Sequence, residues 1–323
     1  MKYYLGVDGG GSKTYALVAD ERGRVVGKGK SGNGNHQLDR EVARRSIREA
    51  TKAALAAAGI SREQVASACF GLAGADREAD FRILRPMIAE LGFAKHEIHC
   101  DTIIAMRAGT SRPYGVVLIC GSGTNGAGRN PAGESLQVGG FTYMTGDFGG
   151  GMALAVEAFR TVVRAWDGRE AETALTPLVL AETGYATVEE MFHDYLDRDL
   201  QPPLGLAKLL FEAAAGGDAA AQAILRKQGD ELGRQANAII RRLGMSDETF
   251  DVVMAGSILT RGKGDWVHAE IRKAVSAAAP DASVVKLAVE PVVGALWLAF
   301  EADGPLPETA RETLKNAAEF EAI

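Results

Sequence analysis

Two α/β domains sharing a duplicated core are what this chain of 323 residues predicts, and three observations carry that expectation. Strand-like runs of branched residues alternate with longer helical patterns along the chain. The order strand, glycine turn, strand, polar turn, strand occurs twice, from Tyr3 and again from Tyr114, as a duplication of architecture without recognisable repetition of residues. The length is large for one domain and comfortable for two, each able to bury its own core. Two such domains are expected to hold a ligand cleft between them.

In the first half, Tyr3–Val7 reads as a strand, Thr14–Ala19 as a second after a glycine turn, and Val25–Lys28 as a third after Asp20-Glu21-Arg22-Gly23. An alanine-rich helical pattern covers about 41–58 and stops at Gly59, a residue suited to a helix C-terminus. A strand at Val65–Leu72, a helix at about 76–91 and a short strand ending at Cys100-Asp101 follow, and Thr102–Ala108 closes the half as a brief helix. The second half restarts with strands at Tyr114–Cys120, Asn125–Arg129 and Ser135–Val138. Helical patterns then cover about 152–166 and 204–243. A strand at Asp251–Ala255 and a helical segment at Val292–Glu301 complete the chain, with the boundary between halves near Ser111–Tyr114.

Composition excludes several classes of function. Hydrophobic residues make up 46% and charged residues 24%, as in a soluble globular protein, and the net charge of -6 argues against a nucleic-acid or anionic-membrane partner. No apolar run approaches the roughly 18–20 residues of a membrane span, and the first residues read as a strand rather than a secretory signal. Cys69, Cys100 and Cys120 are scattered without C-x-x-C spacing, each at the end of an apolar run, so buried reduced thiols in a cytoplasmic protein are expected.

Three glycine clusters carry the chemistry. In GVVLICGSGTNGAG (Gly115 to Gly128), the segment from Gly121 to Gly126 has the spacing of a dinucleotide fingerprint. That fingerprint must open a helix whose N-terminus receives the pyrophosphate, whereas Ala127-Gly128-Arg129-Asn130-Pro131 cannot form an amphipathic helix. The loop reads instead as a hairpin turn. GVDGGGSKT (Gly6 to Thr14) misses the P-loop pattern because Ser12 separates Gly11 from Lys13, and it too leads into a strand. Its glycines would let backbone N–H groups approach an anion, with Ser12 and Thr14 as hydroxyl donors. Asp8 beside a phosphate calls for an intervening cation, Mg2+ reached through water; a tight hairpin with a turn-stabilising Asp is the plainer alternative. The third cluster, Met254 to Gly262, ends an apolar strand, and its glycine would let a flat ligand such as a purine lie against the backbone.

In this order the clusters resemble the sugar kinase, heat-shock ATPase and actin superfamily. More narrowly, the chain resembles the N-acetylglucosamine kinase and BadF/BadG/BcrA/BcrD-type ATPase family through GVDGGGSKT, GNGNHQ, GLAGADR, CDTIIA, GSGTNG, GGFTYMTGD and MAGSI, which span residues 6 to about 258. The resemblance implies an α/β, two-domain actin-like ATPase (ribonuclease H-like) fold with a duplicated β-β-β-α-β-α core and an interdomain cleft. It implies an N-terminal domain of 1–113, completed by a C-terminal helix at about 292–323, and a nucleotide-binding domain of 114–291. It also implies an ATP- and Mg2+-dependent kinase for an amino sugar, with the 6-hydroxyl of N-acetylglucosamine as the expected acceptor. ATP and a small sugar are the implied partners; a homodimer is compatible with the chain.

Carried over by position, the resemblance makes Asp101 the base that takes the proton from the sugar hydroxyl, a role a carboxylate within about 2.6–3.2 Å can perform; the same residue could cap the following helix. ATP would be contacted by Gly10, Gly11, Ser12, Lys13 and Thr14, by Gly121, Ser122 and Gly123, and by Gly256, Ser257 and Arg261, with Leu204 near the base. Asn35, His36, Thr124, Asn125, Gly140, Phe141, Thr142, Tyr143 and Asp147 would join Asp101 at the sugar, since mixed donors and acceptors suit a polyol. Plainer readings make Asn35 a turn residue, His36 an ordinary surface histidine and Asp147 a helix cap.

The departures fall at the sugar. Kinases of this family often carry Gly-Trp-Gly where this chain has Gly140-Phe141-Thr142, and Gly-Asp-Glu-Gly-Ser where it has Gly146-Asp147-Phe148-Gly149-Gly150. Phe141 keeps an apolar face for a sugar or an acetyl methyl, while Thr142 adds bulk. Glucosamine and N-acetylmuramic acid therefore stay open as acceptors. So do a sugar-sensing protein without kinase activity and an ATPase energising electron transfer, the last needing cysteines that hold an iron–sulfur cluster between protomers.

Overall fold

The computed structural model describes residues 1–317. The chain divides into two compact units: the first comprises Met1–Val117, Pro131–Gly133 and the chain from Leu287 onward, the second Leu118–Asn130 and Glu134–Lys286.

The first unit opens with the antiparallel meander β1 (Tyr3–Gly9), β2 (Thr14–Asp20) and β3 (Val25–Ser31). Helix α1 (Arg40–Ala58) follows, and β4 (Val65–Leu72) returns parallel to β1. Helix α2 (Glu78–Ala89) leads to β5 (His96–Cys100), parallel to β4, and α3 (Asp101–Gly109) begins on the next residue. The sheet order is β3-β2-β1-β4-β5. In α1 the buried residues Ala43, Ile47, Ala50 and Ala54 recur at helical spacing, and the Asp39 carboxylate caps the first turn by accepting from Val42 N at 2.9 Å.

The second unit repeats the plan with β6 (Gly115–Cys120), which straddles the division, β7 (Thr124–Arg129) and β8 (Ser135–Val138). A helical layer follows: α4 (Gly151–Trp166), α5 (Leu175–Thr183), α6 (Val188–Asp197), α7 (Leu206–Ala215) and α8 (Ala219–Arg242). Then come β9 (Asp251–Ala255), α9 (Ser257–Arg261), α10 (Trp266–Ala278) and β10 (Ser283–Lys286). The sheet order β10-β9-β6-β7-β8 matches the first sheet strand for strand, β6 standing where β1 does and β9 where β4 does. This correspondence is the duplication read from the alternation of elements.

The chain then returns to the first unit as α11 (Pro291–Asp303) and α12 (Glu308–Ala317). Both faces of the first sheet are thereby covered. Leu5, Val7, Val18 and Phe70 pack with Ile47 of α1 and Leu84 and Ile88 of α2. Tyr4, Leu17 and Cys69 pack on the other face with Ile104 of α3 and Val292, Leu296, Trp297 and Phe300 of α11. Full burial of such side chains contributes about 1.5–3 kcal/mol each. Helix α11 lies so close to α3 that a methyl group on Gly294 would run into the Ile104 carbonyl, which fixes the helix carrying Asp101. Arg107 in the last turn of α3 completes this anchor, donating to Glu301 and to Thr110 O at 2.7 Å and lying 5.2 Å from the centre of the Trp297 ring.

Several boundaries differ from the sequence expectation for identifiable reasons. The C-terminal helix is two helices, because Gly304-Pro305-Leu306-Pro307 lacks two backbone donors and restricts the residues before each proline; the expected segment beyond residue 317 lies outside the described residues. The pattern at 204–243 likewise breaks at Gly216-Gly217, after which Asp218 starts α8 by accepting from Ala221 N at 2.8 Å. Helices α5, α6 and α10 and strand β10 had no clear sequence signal. Among the described residues no helix is long and apolar enough to cross a membrane.

Candidate active site

In the first unit, the predicted phosphate turn joins β1 to β2 and is closed by Gly10 N donating to Lys13 O at 2.9 Å. Gly34 N donates to Gly10 O at 2.8 Å and Ala73 N to Gly9 O at 2.9 Å, so the β3–α1 and β4–α2 loops brace the turn. Gly11, Ser12 and Lys13 are exposed at its tip. Thr14 is not: its hydroxyl is buried and donates to Gly32 O at 2.9 Å, so it holds the hairpin together rather than facing an anion. Lys13 Nζ donates to Tyr15 Oη at 3.1 Å.

Asp8 at the end of β1 and Asp101 at the head of α3 are partly buried carboxylates of the same unit. Burial, then the charges of Asp101 and Glu290, push Asp8 from 3.8 up to about 7, opposed by Lys13. Asp101 is also raised, first by burial and then by the charge of Asp76, while a hydrogen bond from Cys100 holds it back. The Cys100 thiol lies within reach of both carboxylates, 3.3 Å from Asp76 Oδ1 and 3.2 Å from Asp101 Oδ1. Asp101 occupies the first position of α3, with Cys100 as the preceding cap residue, and a hydrogen bond from the Thr102 backbone also holds its carboxylate down. A carboxylate kept partly dry and raised in pKa has the character of a proton acceptor tuned toward neutral pH.

The GNGNHQ loop behaves differently from the sequence expectation. Asn35 Oδ1 accepts from Gln37 N at 2.9 Å, and Asn35 N donates to Asn33 Oδ1 at 2.8 Å, a local turn. His36 is buried, its Nε2 3.4 Å from Asp80 Oδ1. Asp80 is held in turn by Arg77 N, Nε and Nη2 and by Gln37 Nε2. Its burial would raise its pKa, but those hydrogen bonds prevail and bring it down to about 2. The His36 ring thus ties its loop to α2 and is not at the surface, while its Nδ1 has no partner among the described residues.

In the second unit, the β6–β7 turn is closed by Gly121 N donating to Gly123 O at 2.9 Å. The first amides of α4 secure it: Gly151 N donates to Gly121 O at 2.8 Å and Met152 N to Ser122 O at 3.0 Å. A side chain on Gly121 or Gly123 would meet only open space, so the bare backbone is accessible. The strand-to-helix turn after β9 lies against the same segment. Gly256 has φ +85, and a methyl group there would collide with the Cys120 backbone, so only glycine fits. Its carbonyl accepts from Thr260 N at 2.9 Å, and Ser257 and Arg261 are exposed on α9. Leu204, 46% exposed, has its side chain beside Gly151. Gly121 to Gly123, Gly256-Ser257 and Leu204 are therefore brought together within one unit.

The predicted sugar residues of this unit also cluster. Asp147 does not cap α4, whose cap residue is Gly150 without a side-chain bond. Its buried carboxylate accepts from Gly140 N at 3.3 Å and Phe141 N at 2.7 Å, shaping the loop that presents Phe141, 48% exposed, and Thr142. The Asn125 carboxamide abuts Gly140, while Thr124 begins β7 and Tyr143 lies in a single helical turn at Tyr143–Thr145. Sequence reasoning missed Asp76 and Cys100, although GLAGADR and CDTIIA contain them. It also missed Gln228 and Gln235, two glutamines seven apart on α8 whose signal is polarity on an otherwise apolar stripe of Leu225, Leu232 and Ala236.

The family model of the BadF/BadG/BcrA/BcrD ATPase family matches residues 5–299. The chain belongs to this ATPase family. Its relatives include an N-acetyl-D-glucosamine kinase of Dictyostelium discoideum, 29% identical over 92% of this chain and 97% of that one. An N-acetylmuramic acid/N-acetylglucosamine kinase of Clostridium acetobutylicum is 29% identical over 93% and 98%. Among solved structures, a candidate N-acetylglucosamine kinase of Chromobacterium violaceum superposes with a TM-score of 0.70 at 25% identity, covering 93% of this chain and 99% of that one. The paired sheets are the duplicated core of the two-domain actin-like ATPase fold. Within this family member all three cysteines are unpaired and buried, which leaves none at the surface to share a cluster between protomers.

Proposed function

We propose that this protein is an ATP-dependent amino-sugar kinase that transfers the γ-phosphoryl group of ATP to the 6-hydroxyl of N-acetylglucosamine, with Asp101 as base. The observation that carries the reading is the partly buried, raised Asp101 carboxylate at the head of a helix fixed by α11, in a chain whose full-length relatives are amino-sugar kinases. In the step, the sugar oxygen forms a bond to Pγ as the bond from Pγ to the β,γ-bridging oxygen breaks, ADP leaves, and the hydroxyl proton passes to Asp101. The first unit would contribute the base and the Gly10–Lys13 turn. The second would contribute the Gly121–Gly123 turn for phosphate and the Gly256-Ser257 turn with Leu204 for adenosine. Asp147, through the backbone of Gly140 and Phe141, would shape the sugar loop, and His36 would act only by tying its own loop to Asp80.

Mg2+ fits the donor set around Asp8. Among the described residues no group of three or more His, Cys, Asp or Glu side chains is placed to cage a metal ion. Magnesium bound mainly by nucleotide phosphates, keeping its waters and reaching one carboxylate through them, would need no such cage. Asp8 is raised because its negative charge is poorly compensated, which is the deficit a divalent cation would relieve. When bound, the ion would neutralise charge on the transferring phosphates.

The test is ADP release with N-acetylglucosamine, glucosamine, N-acetylmuramic acid, N-acetylmannosamine and glucose, with mass spectrometry of the product. Phosphorylation of N-acetylglucosamine at the 6-hydroxyl is expected. Absence of sugar-dependent ADP release across the panel would leave an ATPase or a sugar-sensing protein instead.

A further inference from the structure

The second unit holds a cavity of about 170 Å³ between α8 and the segments carrying the predicted sugar residues, lined by Thr124, Gly146, Phe148, Gln228, Glu231 and Gln235 among others. Gln228 is 1% exposed, and neither its Nε2 nor its Oε1 finds a partner among the described residues. Gln235 Oε1, also at the cavity wall, is likewise buried and unpartnered. Gln235, at the cavity wall, lies against Gly139 beside Asp147, next to the loop that Asp147 shapes. A buried carboxamide that satisfies neither its donor nor its acceptor is destabilising on its own, and natural interiors rarely keep one without use. Leu225, Leu232 and Ala236 occupy the same stripe of α8, so an apolar residue at 228 would serve packing better.

We propose that this cavity is the subsite for a carboxamide-bearing substituent of the sugar, an acylamino group, and that Gln228 is its specificity-determining residue. The inference rests on the sugar-kinase reading and deepens it. An acylamino group offers one N–H and one C=O, the complement of the donor and acceptor that Gln228 presents. Gln235 Oε1 offers an alternative acceptor for its N–H, and the Phe148 ring supplies an apolar wall for the acyl carbon. An amine would bring no acceptor for the Gln228 N–H donor.

The test compares wild type with Gln228→Leu and Gln228→Met, two apolar variants of similar size that leave no orphaned amide and should fold. With ATP saturating, KM for N-acetylglucosamine should rise about tenfold or more in both variants while KM for glucosamine and glucose stays within about twofold. An unchanged KM for N-acetylglucosamine would mean that the cavity holds only water, and an equal rise for all three sugars would mean general damage; either overturns the proposal. Saturation-transfer NMR without ATP separates this proposal from the kinase reading. If no sugar is phosphorylated yet the acetyl methyl of N-acetylglucosamine receives saturation in wild type and loses it in Gln228→Leu, the subsite stands and the kinase reading falls. No saturation in wild type, or the same saturation in the variant, sinks the subsite.

Discussion

Replacing Asp8 by asparagine removes a charge that the first unit accommodates poorly. Burial and the charges of Asp101 and Glu290 raise this carboxyl from 3.8 to about 7, despite Lys13. A group whose folded-state pKa lies above its unfolded value stabilises the native state fully while both forms are protonated, and that contribution is lost as pH rises through the folded pKa. Here the loss runs from about pH 4 to about pH 7, beyond which the native protein carries the whole penalty of the charge. The interval from 3.8 to about 7, at about 1.36 kcal/mol per pH unit, sets a ceiling of about 4 kcal/mol. Asparagine keeps the shape without the charge. Asp8→Asn should therefore be near neutral at about pH 4 and stabilising by roughly 2–4 kcal/mol at about pH 8 in the absence of nucleotide and divalent cation. Thermal unfolding followed by circular dichroism across that range should show a Tm increase on the order of 5–10 °C at the alkaline end, shrinking toward zero in acid. Adding Mg2+ and ATP should raise the Tm of wild type more than that of the variant. A Tm difference of the same size at both ends, or a larger one in acid, would refute the argument.

Two further substitutions probe the two units separately. Gly256→Ala forces a side chain into a left-handed conformation, at about 1–2 kcal/mol, and drives its methyl into the Cys120 backbone; lower thermal stability and weaker ATP binding by calorimetry, with sugar binding retained, are expected, and unchanged ATP affinity would remove this turn from the nucleotide site. Cys100→Ala deletes the donor that holds Asp101 down, so the acidic limb of the kcat/KM profile should move to higher pH, with Cys100→Ser moving it back toward wild type; a limb that stays put would detach the thiol from the titration of the base.

Local chemistry explains what could be read without coordinates. Both glycine turns lie between branched runs, and a glycine turn between two strands is decided by neighbours in sequence, so the duplication and the Gly10 and Gly121 turns were legible. The side-chain partners that could not be read lie elsewhere in the fold. Nothing near His36 announces that Asp80, fixed by Arg77, will draw its ring inward. Thr14 is committed by Gly32, just past the end of β3, and Asp147 by the amides of Gly140 and Phe141 rather than by the helix that follows it. Cys100 reads as a buried thiol from its apolar run, and it is one; its contact with Asp76 requires the β4–α2 loop to come back beside β5. The glutamines of α8 escaped because a helix with a mixed face is ordinary until the cavity beneath it is seen.

The proposed role of Asp101 as acceptor of the sugar proton is tested by following the γ-phosphoryl group of labelled ATP into N-acetylglucosamine with wild type and with Asp101→Asn, alongside ATP affinity. Transfer to the 6-hydroxyl by wild type, a loss of about 10²–10⁴-fold in turnover in the variant, and ATP binding within about twofold of wild type are expected. Near-normal transfer by Asp101→Asn, or no transfer by wild type, would contradict that role.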